Sequence, residues 1–165
     1  MLINHGKLIH FFRIAKEVTG RKKLQKMIYI LKKSNVPFEE KYEFHFYGPY
    51  SEELTLRVEE LCNLGFLEEK REDKSRYFQY HYQITEAGEK FLEQLSFDMP
   101  DIRKKVEMLQ SKSSRFLELV STLLYFEDLP QAEQIEKLHQ MKPKQNFTSE
   151  EIDEAYRFIQ EIRTH

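Results

Sequence analysis

Few side chains in this 165-residue sequence have the types and spacing that covalent or metal chemistry needs. The single cysteine, Cys62, falls among leucines in a helical pattern, which is typical of a small core residue and not of an activated nucleophile. His45 and His81 fall on predicted strands and could approach each other, but no carboxylate accompanies them at ligand spacing. His5 and His10 are placed on different faces of a helix. We therefore expect no metal site.

The short motifs that mark common enzyme sites do not occur in the sequence. It contains no glycine-rich phosphate loop, no GxSxG elbow, no CxxC pair and no HExxH motif. Paired acids such as Glu68 and Glu69 have the pattern of solvated surface residues. We predict a protein that is not an enzyme and that uses no cofactor.

Positive charge is concentrated near the N-terminus. Residues 1–35 hold nine Lys and Arg against one acid, Glu17, although the formal net charge of the whole chain is −2. Such a segment suits phosphates, an acidic partner surface or the acidic half of the same chain. Four of these cations begin the second predicted helix: Arg21, Lys22, Lys23 and Lys26.

The stretch HFYGPYSEEL at residues 45–54 combines aromatic, turn and helix-capping signals. Gly48 and Pro49 predict a turn, Phe46 is expected to close a strand against the core, and Ser51 predicts a helix N-cap. The helix that follows carries four glutamates and one arginine. The remaining aromatic residues of the stretch, Tyr47 and Tyr50, are of a type enriched at the centres of protein interfaces.

Hydrophobic periodicity predicts the elements that position these residues. In residues 1–97 it indicates, in order, helices over 5–18 and 21–34, a short strand over 42–46, a helix over 51–64, a hairpin of strands over 66–72 and 76–84, and a helix over 86–95. Residues 98–165 are predicted to be a helical extension, a long helix plus a helical hairpin. Its first helical pattern, 101–125, is continuous or broken near 111–114. Helices follow over 131–141 and 149–163, the last with a capping box at Thr148.

Composition places the chain among folded soluble proteins. Hydrophobic residues make up 40% and aromatic residues 13% of the chain, which is too apolar for a disordered protein. The N-terminal segment lacks the features of a signal peptide, and no segment has the pattern of a membrane span. A single cysteine fits a reducing compartment. We therefore expect a cytoplasmic protein that binds no membrane.

The order of elements predicts a mainly α protein with a small β-hairpin wing, an α+β fold in which a winged helix-turn-helix is followed by an all-helical C-terminal extension. The segment LEEKREDKSRYFQYHYQITEAGEKFL at residues 67–92 resembles the wing and following helix of winged-helix regulators. KLQKMIYIL at 23–31, together with FYGPYSEEL at 46–54, resembles the uncharacterised YwgA-like family of Bacillus and relatives. More distantly, it is similar to the Panacea domain of SocA-like antitoxins. That resemblance implies a protein that binds a partner protein.

Two binding functions fit this scaffold. In a DNA-binding regulator, the third helix would enter the major groove while helix 2 and the wing contact phosphates. The cations expected to do so are Arg21, Lys22, Lys23, Lys26, Arg71, Lys74 and Arg76. The acidic third helix weakens this interpretation because phosphates repel it. We therefore predict a non-catalytic regulatory or adaptor module that binds a partner protein, with DNA as the alternative. The predicted contact residues are Tyr47, Tyr50, Glu53, Arg57 and Glu60. A homodimer through the C-terminal helices is also possible.

Overall fold

The computed structural model describes residues 2–46 and 48–165, so Tyr47 of the predicted binding set lies outside the described residues. The elements, in chain order, are α1 (Ile3–Ala15), β1 (Glu17–Thr19), α2 (Arg21–Lys33), β2 (Glu43–His45), β3 (Gly48–Tyr50), α3 (Glu52–Asn63), β4 (Leu67–Asp73), β5 (Phe78–Ile84), α4 (Glu86–Glu93), α5 (Arg103–Gln110), α6 (Ser114–Tyr125), α7 (Gln131–Met141) and α8 (Ser149–Thr164). A short 3-10 turn, Pro143–Gln145, precedes α8. The predicted mainly helical α+β class is confirmed.

Hydroxyl side chains start the helices where the sequence predicts them. Ser51 Oγ accepts the Leu54 backbone N–H at 3.0 Å, and Thr148 Oγ1 accepts that of Glu151 at 3.1 Å. The Glu151 carboxylate accepts the Thr148 backbone N–H at 3.0 Å, which completes the predicted capping box. These bonds satisfy backbone donors that have no partner inside the helix.

A three-stranded antiparallel sheet has the order β1-β5-β4. The β4–β5 hairpin is confirmed, but β1 was not predicted, because its residues were assigned to the end of α1. The backbone leaves the helix at Lys16, whose φ is +68°, and Val18 then pairs with Tyr82. Only the base of the hairpin reaches the core. Tyr82 is buried, whereas Phe78 near the tip is exposed.

A second small sheet joins β2 and β3. Gly48 and Pro49, predicted to form a turn, instead pair with His45 and Phe44 in an antiparallel ladder. Gly48 has a φ of +95°, a conformation that glycine adopts without strain. The expectation that Phe46 closes a strand against the core was wrong, because Phe46 lies at the reversal between the two strands and its side chain is 87% exposed.

The C-terminal helices pack onto the N-terminal ones around one continuous hydrophobic cluster. The principal contact joins α2 to α6, and α6 in turn packs on α8. The predicted break near 111–114 is observed, with Ser113 capping α6. The apolar stripe of α8, which includes Ile152 and Phe158, is buried within its own chain. The division at residue 97 and homodimerisation through the C-terminal helices stay predictions.

Gly88, in the first turn of α4, packs directly against the backbone of the preceding chain segment. A Cβ at this position would lie 2.3 Å from the Phe66 carbonyl oxygen. We expect Gly88→Ala to lower the free energy of unfolding by about 2 kcal/mol, since the rigid backbone must move away. Glu89→Ala, on the exposed side of the same helix, is the matched control. Urea unfolding of both variants is the measurement, and equal stabilities would contradict this packing.

Candidate functional site

A buried glutamine joins α2 to the start of α3. The Gln25 amide nitrogen donates to the Ser51 carbonyl oxygen at 3.0 Å, while its amide oxygen accepts the Ser51 backbone N–H at 2.9 Å. The same nitrogen also donates to Thr55 Oγ1 at 3.0 Å, and the Tyr50 hydroxyl lies 2.9 Å from that oxygen. Gln25 is 6% exposed, so these bonds are shielded from water and fix the position of α3 against α2.

A cleft of about 520 Å³ lies between α2 and α3, and we call it the α2–α3 cleft. Gln25 and Lys26 line it from α2, and Thr55, Val58 and Cys62 line it from α3. The side chains of α3 at these positions are three or four residues apart, so they form one face of the helix. Burial raises the pKa of the Cys62 thiol to about 11, and the thiol is therefore a neutral part of the wall at physiological pH.

Arg21 lines one end of the cleft. Its guanidinium lies 3.6 Å from the centre of the Tyr80 ring, and its Nε donates to the Tyr82 hydroxyl at 3.1 Å. A Glu69 carboxylate oxygen lies 3.5 Å from the same guanidinium. The charge of Arg21 is thus balanced by an acid and its plane is covered by an aromatic ring.

The other end of the cleft holds Lys26, whose residue surface is only 3% exposed. Within the described residues, no oxygen accepts a hydrogen bond from its ammonium, and Glu118 on α6 is the one acid within ion-pair distance, at 3.9 Å. Glu118 is shared with Lys142, whose Nζ lies 3.3 Å away and also donates to the Phe46 carbonyl oxygen at 2.8 Å. Burial lowers the pKa of Lys26, with Lys142 and Lys22 adding repulsion and Glu118 opposing it.

The side of α3 turned away from the core is acidic and partly apolar, and we call it the outward face. Its exposed members are Glu52, Leu56, Glu59, Glu60, Asn63 and Leu64. Leu56 on α3 and Leu64, which follows its last residue, are 56% and 55% exposed, whereas Leu54, Val58 and Leu61 of the same helix are buried.

The predicted protein-binding residues do not form one surface. Tyr50 turns toward the cleft, stacked on the His45 ring at 4.9 Å. Arg57 turns the other way and pairs with the buried carboxylate of Glu40. Glu53, near Arg57, accepts the Lys41 backbone N–H at 2.8 Å.

Glu60, the last described member of that set, is the one that lies on the outward face. His5 Nε2 lies 3.6 Å from its carboxylate, whose side chain remains 59% exposed. The partner-binding role of the whole set stays a prediction, with Glu60 the residue best placed for it.

The predicted nucleic-acid set divides between the cleft and the surface. Arg21, Lys22 and Lys26 all line the cleft, whereas Lys23 is half-buried outside it. The hairpin cations are exposed. Of these, Arg71 lies 4.3 Å over the Phe78 ring and Lys74 is 2.7 Å from Glu72. Arg76 is exposed beside the hairpin tip.

The two histidines considered for a shared site lie in different sheets. His45 is in β2, while His81 in β5 lies 2.9 Å from Glu72 and 3.0 Å from Thr19 Oγ1. Among residues 2–46 and 48–165, no group of three or more His, Cys, Asp or Glu side chains is arranged to hold a metal ion. The helices in the same part of the chain are too short or too polar to cross a membrane.

Comparison with known proteins now identifies the family. No protein-family model matches the sequence. A relative from Bacillus subtilis (strain 168), the uncharacterized protein YwgA, is 57% identical over 163 residues, which cover 99% of this chain and 98% of the relative. The chain belongs to the YwgA family. The predicted resemblance to YwgA-like proteins is therefore confirmed.

Sequence reasoning missed three residues that shape the site. No sequence feature marks Gln25, because its hydrogen bonds to Ser51 join residues that only the fold brings together. The same holds for Glu40. Leu56 did carry a signal, since it falls outside the buried stripe of Leu54 and Val58.

The Arg57–Glu40 pair predicts a large stability loss when the cation is removed. Glu40 is 1% exposed, and its second carboxylate oxygen has no partner among the described residues. We expect Arg57→Ala to destabilise the fold by about 3 kcal/mol, because a buried charge is left uncompensated. In a Glu40→Gln background, the same change should cost about 1 kcal/mol. Chemical unfolding of this double-mutant cycle is the measurement, and equal costs in both backgrounds would contradict the pairing.

Proposed function

We propose that this protein is a non-catalytic regulatory or adaptor module that binds a partner protein through the outward face of α3. The observation that carries the proposal is the composition of that face, where Leu56 and Leu64 lie exposed among Glu52, Glu59 and Glu60. Exposed leucines supply apolar contact area, and the glutamates supply complementarity to a basic surface.

The charges of α3 favour a protein over DNA on this face. Its single arginine, Arg57, turns away and pairs with Glu40, so the outward face keeps its glutamates without a cation from the same helix to balance them. A helix inserted into the major groove lies between two rows of phosphates, which repel such a face.

We also propose a winged-helix arrangement for the N-terminal elements. The support is the order of α1, α2 and α3 before the β4–β5 hairpin, with β1 pairing to β5 and α4 following. In this arrangement α3 occupies the position of a recognition helix. The distant resemblance to the Panacea domain of SocA-like antitoxins that the sequence motifs predict would favour a partner protein as its target.

DNA binding is the alternative, and exposed cations outside α3 favour it. Lys22 on α2 and Arg71 and Arg76 on the hairpin are exposed. Lys26 cannot contribute a phosphate contact without leaving its buried position, and Arg21 already contacts Glu69 and Tyr80. If this alternative holds, fluorescence anisotropy with mixed genomic fragments shows binding that weakens steeply with salt.

Photo-crosslinking tests the partner-protein proposal at the outward face. The chain, with p-benzoylphenylalanine in place of Leu56, is expressed in Bacillus subtilis and irradiated, and adducts are identified by mass spectrometry. We expect one protein to dominate the adducts, and Glu60→Lys to reduce that adduct about tenfold, because a reversed charge repels a basic partner.

Two variants on α7 control this experiment. Glu133 is exposed on α7, which packs against α6 and not on the outward face of α3, so a crosslinker there should not capture the same protein. Glu133→Lys should leave the Leu56 adduct unchanged. Capture that is equal from both positions, or unaffected by Glu60→Lys, would contradict binding through the outward face.

A further inference from the structure

We propose that the α2–α3 cleft is a binding site for a small apolar carboxylic acid, with the carboxylate at Lys26 and the apolar body along Leu54, Val58 and Tyr82. Glu59 and Asn63 of the outward face also line this cleft, whereas Leu56 and Glu60, on which the crosslinking test rests, are not among its lining residues. The site adds a small-molecule ligand to a protein whose proposed function concerns a macromolecular partner.

The Lys26 side chain, 4% exposed and part of the cleft wall, is the first support for an anionic ligand. A charged group removed from water is costly unless it is paired and hydrogen-bonded. Within the described residues Lys26 has no hydrogen-bond acceptor, and its ion-pair partner Glu118, at 3.9 Å, lies closer to Lys142, at 3.3 Å. Two ammonium groups, of Lys26 and Lys142, and the one carboxylate of Glu118 leave a net charge of +1. One ligand carboxylate in the cleft would balance it.

The charges around the cleft orient the ligand. The Arg21 end is balanced by Glu69, at 3.5 Å. Glu59 also lines the cleft and adds a second acid near Cys62. Beside Lys26, by contrast, two lysines, Lys26 and Lys142, share the one carboxylate of Glu118. An anion is therefore favoured beside Lys26 over the side that holds Glu59 and Glu69.

The size and walls of the cleft set the chemical class of the ligand. A volume of about 520 Å³ lies within the range of small-molecule pockets, roughly 300–1,000 Å³. Its apolar walls include Leu54, Val58 and Pro49, and the Cys62 thiol is neutral, since burial holds its pKa at about 11. The Tyr50 hydroxyl is already bonded to Thr55 Oγ1, at 2.9 Å, so Lys26 is the group that would hold the carboxylate. An apolar acid of one or two rings matches these features better than a polyanion, which needs several free cations.

Binding of 1-naphthoate to the full chain tests the site. By isothermal titration calorimetry we expect a dissociation constant on the order of 100 μM for this small ligand. 1-Naphthamide, which has the same shape but no charge, should bind at least about tenfold more weakly. Lys26→Met, which keeps the length of the side chain and removes the buried charge, should weaken 1-naphthoate binding by at least about tenfold.

Two further variants test whether the effect is specific to the cleft. Lys23→Met removes a cation from the same helix that does not line the cleft, and it should leave binding within about twofold. Cys62→Trp should fill the cleft and abolish binding, and its thermal unfolding is checked alongside.

Three results would overturn the proposal: no heat of binding up to about 10 mM 1-naphthoate, equal affinity for the amide, or unchanged affinity in Lys26→Met. None of them bears on the Leu56 crosslink, which should persist in Lys26→Met. The two proposals therefore fail separately.

Discussion

The reciprocal hydrogen bonds between the Gln25 amide and the Ser51 backbone determine how the rest of the site is arranged. They tie the middle of α2 to the first turn of α3, at a point where Ser51 also caps α3. The amide can donate and accept at once, so it satisfies both backbone groups of Ser51 in a buried position where unmet polar groups are costly. A leucine of similar size at position 25 could pack there but would leave the Ser51 N–H unpaired, whereas the Ser51 carbonyl would keep its bonds from Thr55.

Once α3 is fixed in this way, its faces have different environments. Leu61 is buried in the core. Leu54, Thr55, Val58 and Cys62 line the cleft, and Leu56 and Glu60 face outward. Arg57 and Lys26 likewise lie in different environments. Arg57 is used to neutralise Glu40, and Lys26 is held beside Glu118 under α6. Part of the positive charge that the sequence concentrates near the N-terminus is likewise held in contacts within the chain, at Lys7, Lys26 and Lys32, which lowers the case for a continuous DNA-binding surface.

The sequence predicts the elements whose signals are local. Ser51, Thr85 and Thr148 cap the helices that follow them, and the buried stripe of α3 keeps the expected period. The three-residue strands β1 and β3 were missed because they are too short to show alternation and form only when distant residues pair with them.

The candidate site was predictable only in part. Arg21, Lys22, Lys26 and Tyr50 stand out by type, but the sequence assigned them to two different surfaces, whereas the fold brings them to one cleft. The burial of Lys26 could not be predicted, because Glu118 and Lys142 reach it from the C-terminal helices. A lysine on a short basic helix is ordinarily solvated, and only tertiary contacts reverse that expectation.

Methyl NMR tests the separation of the two faces of α3 most directly. The leucine and valine methyls of the full chain are labelled and recorded during titration with 1-naphthoate, whose ring current shifts nearby methyl signals. The methyls of Leu54 and Val58, which line the cleft, should shift, while those of Leu56 and Leu64 on the outward face stay in place. Shifts at Leu56 and Leu64 with none at Leu54 and Val58 would contradict the division of α3 into a ligand-facing and a partner-facing side.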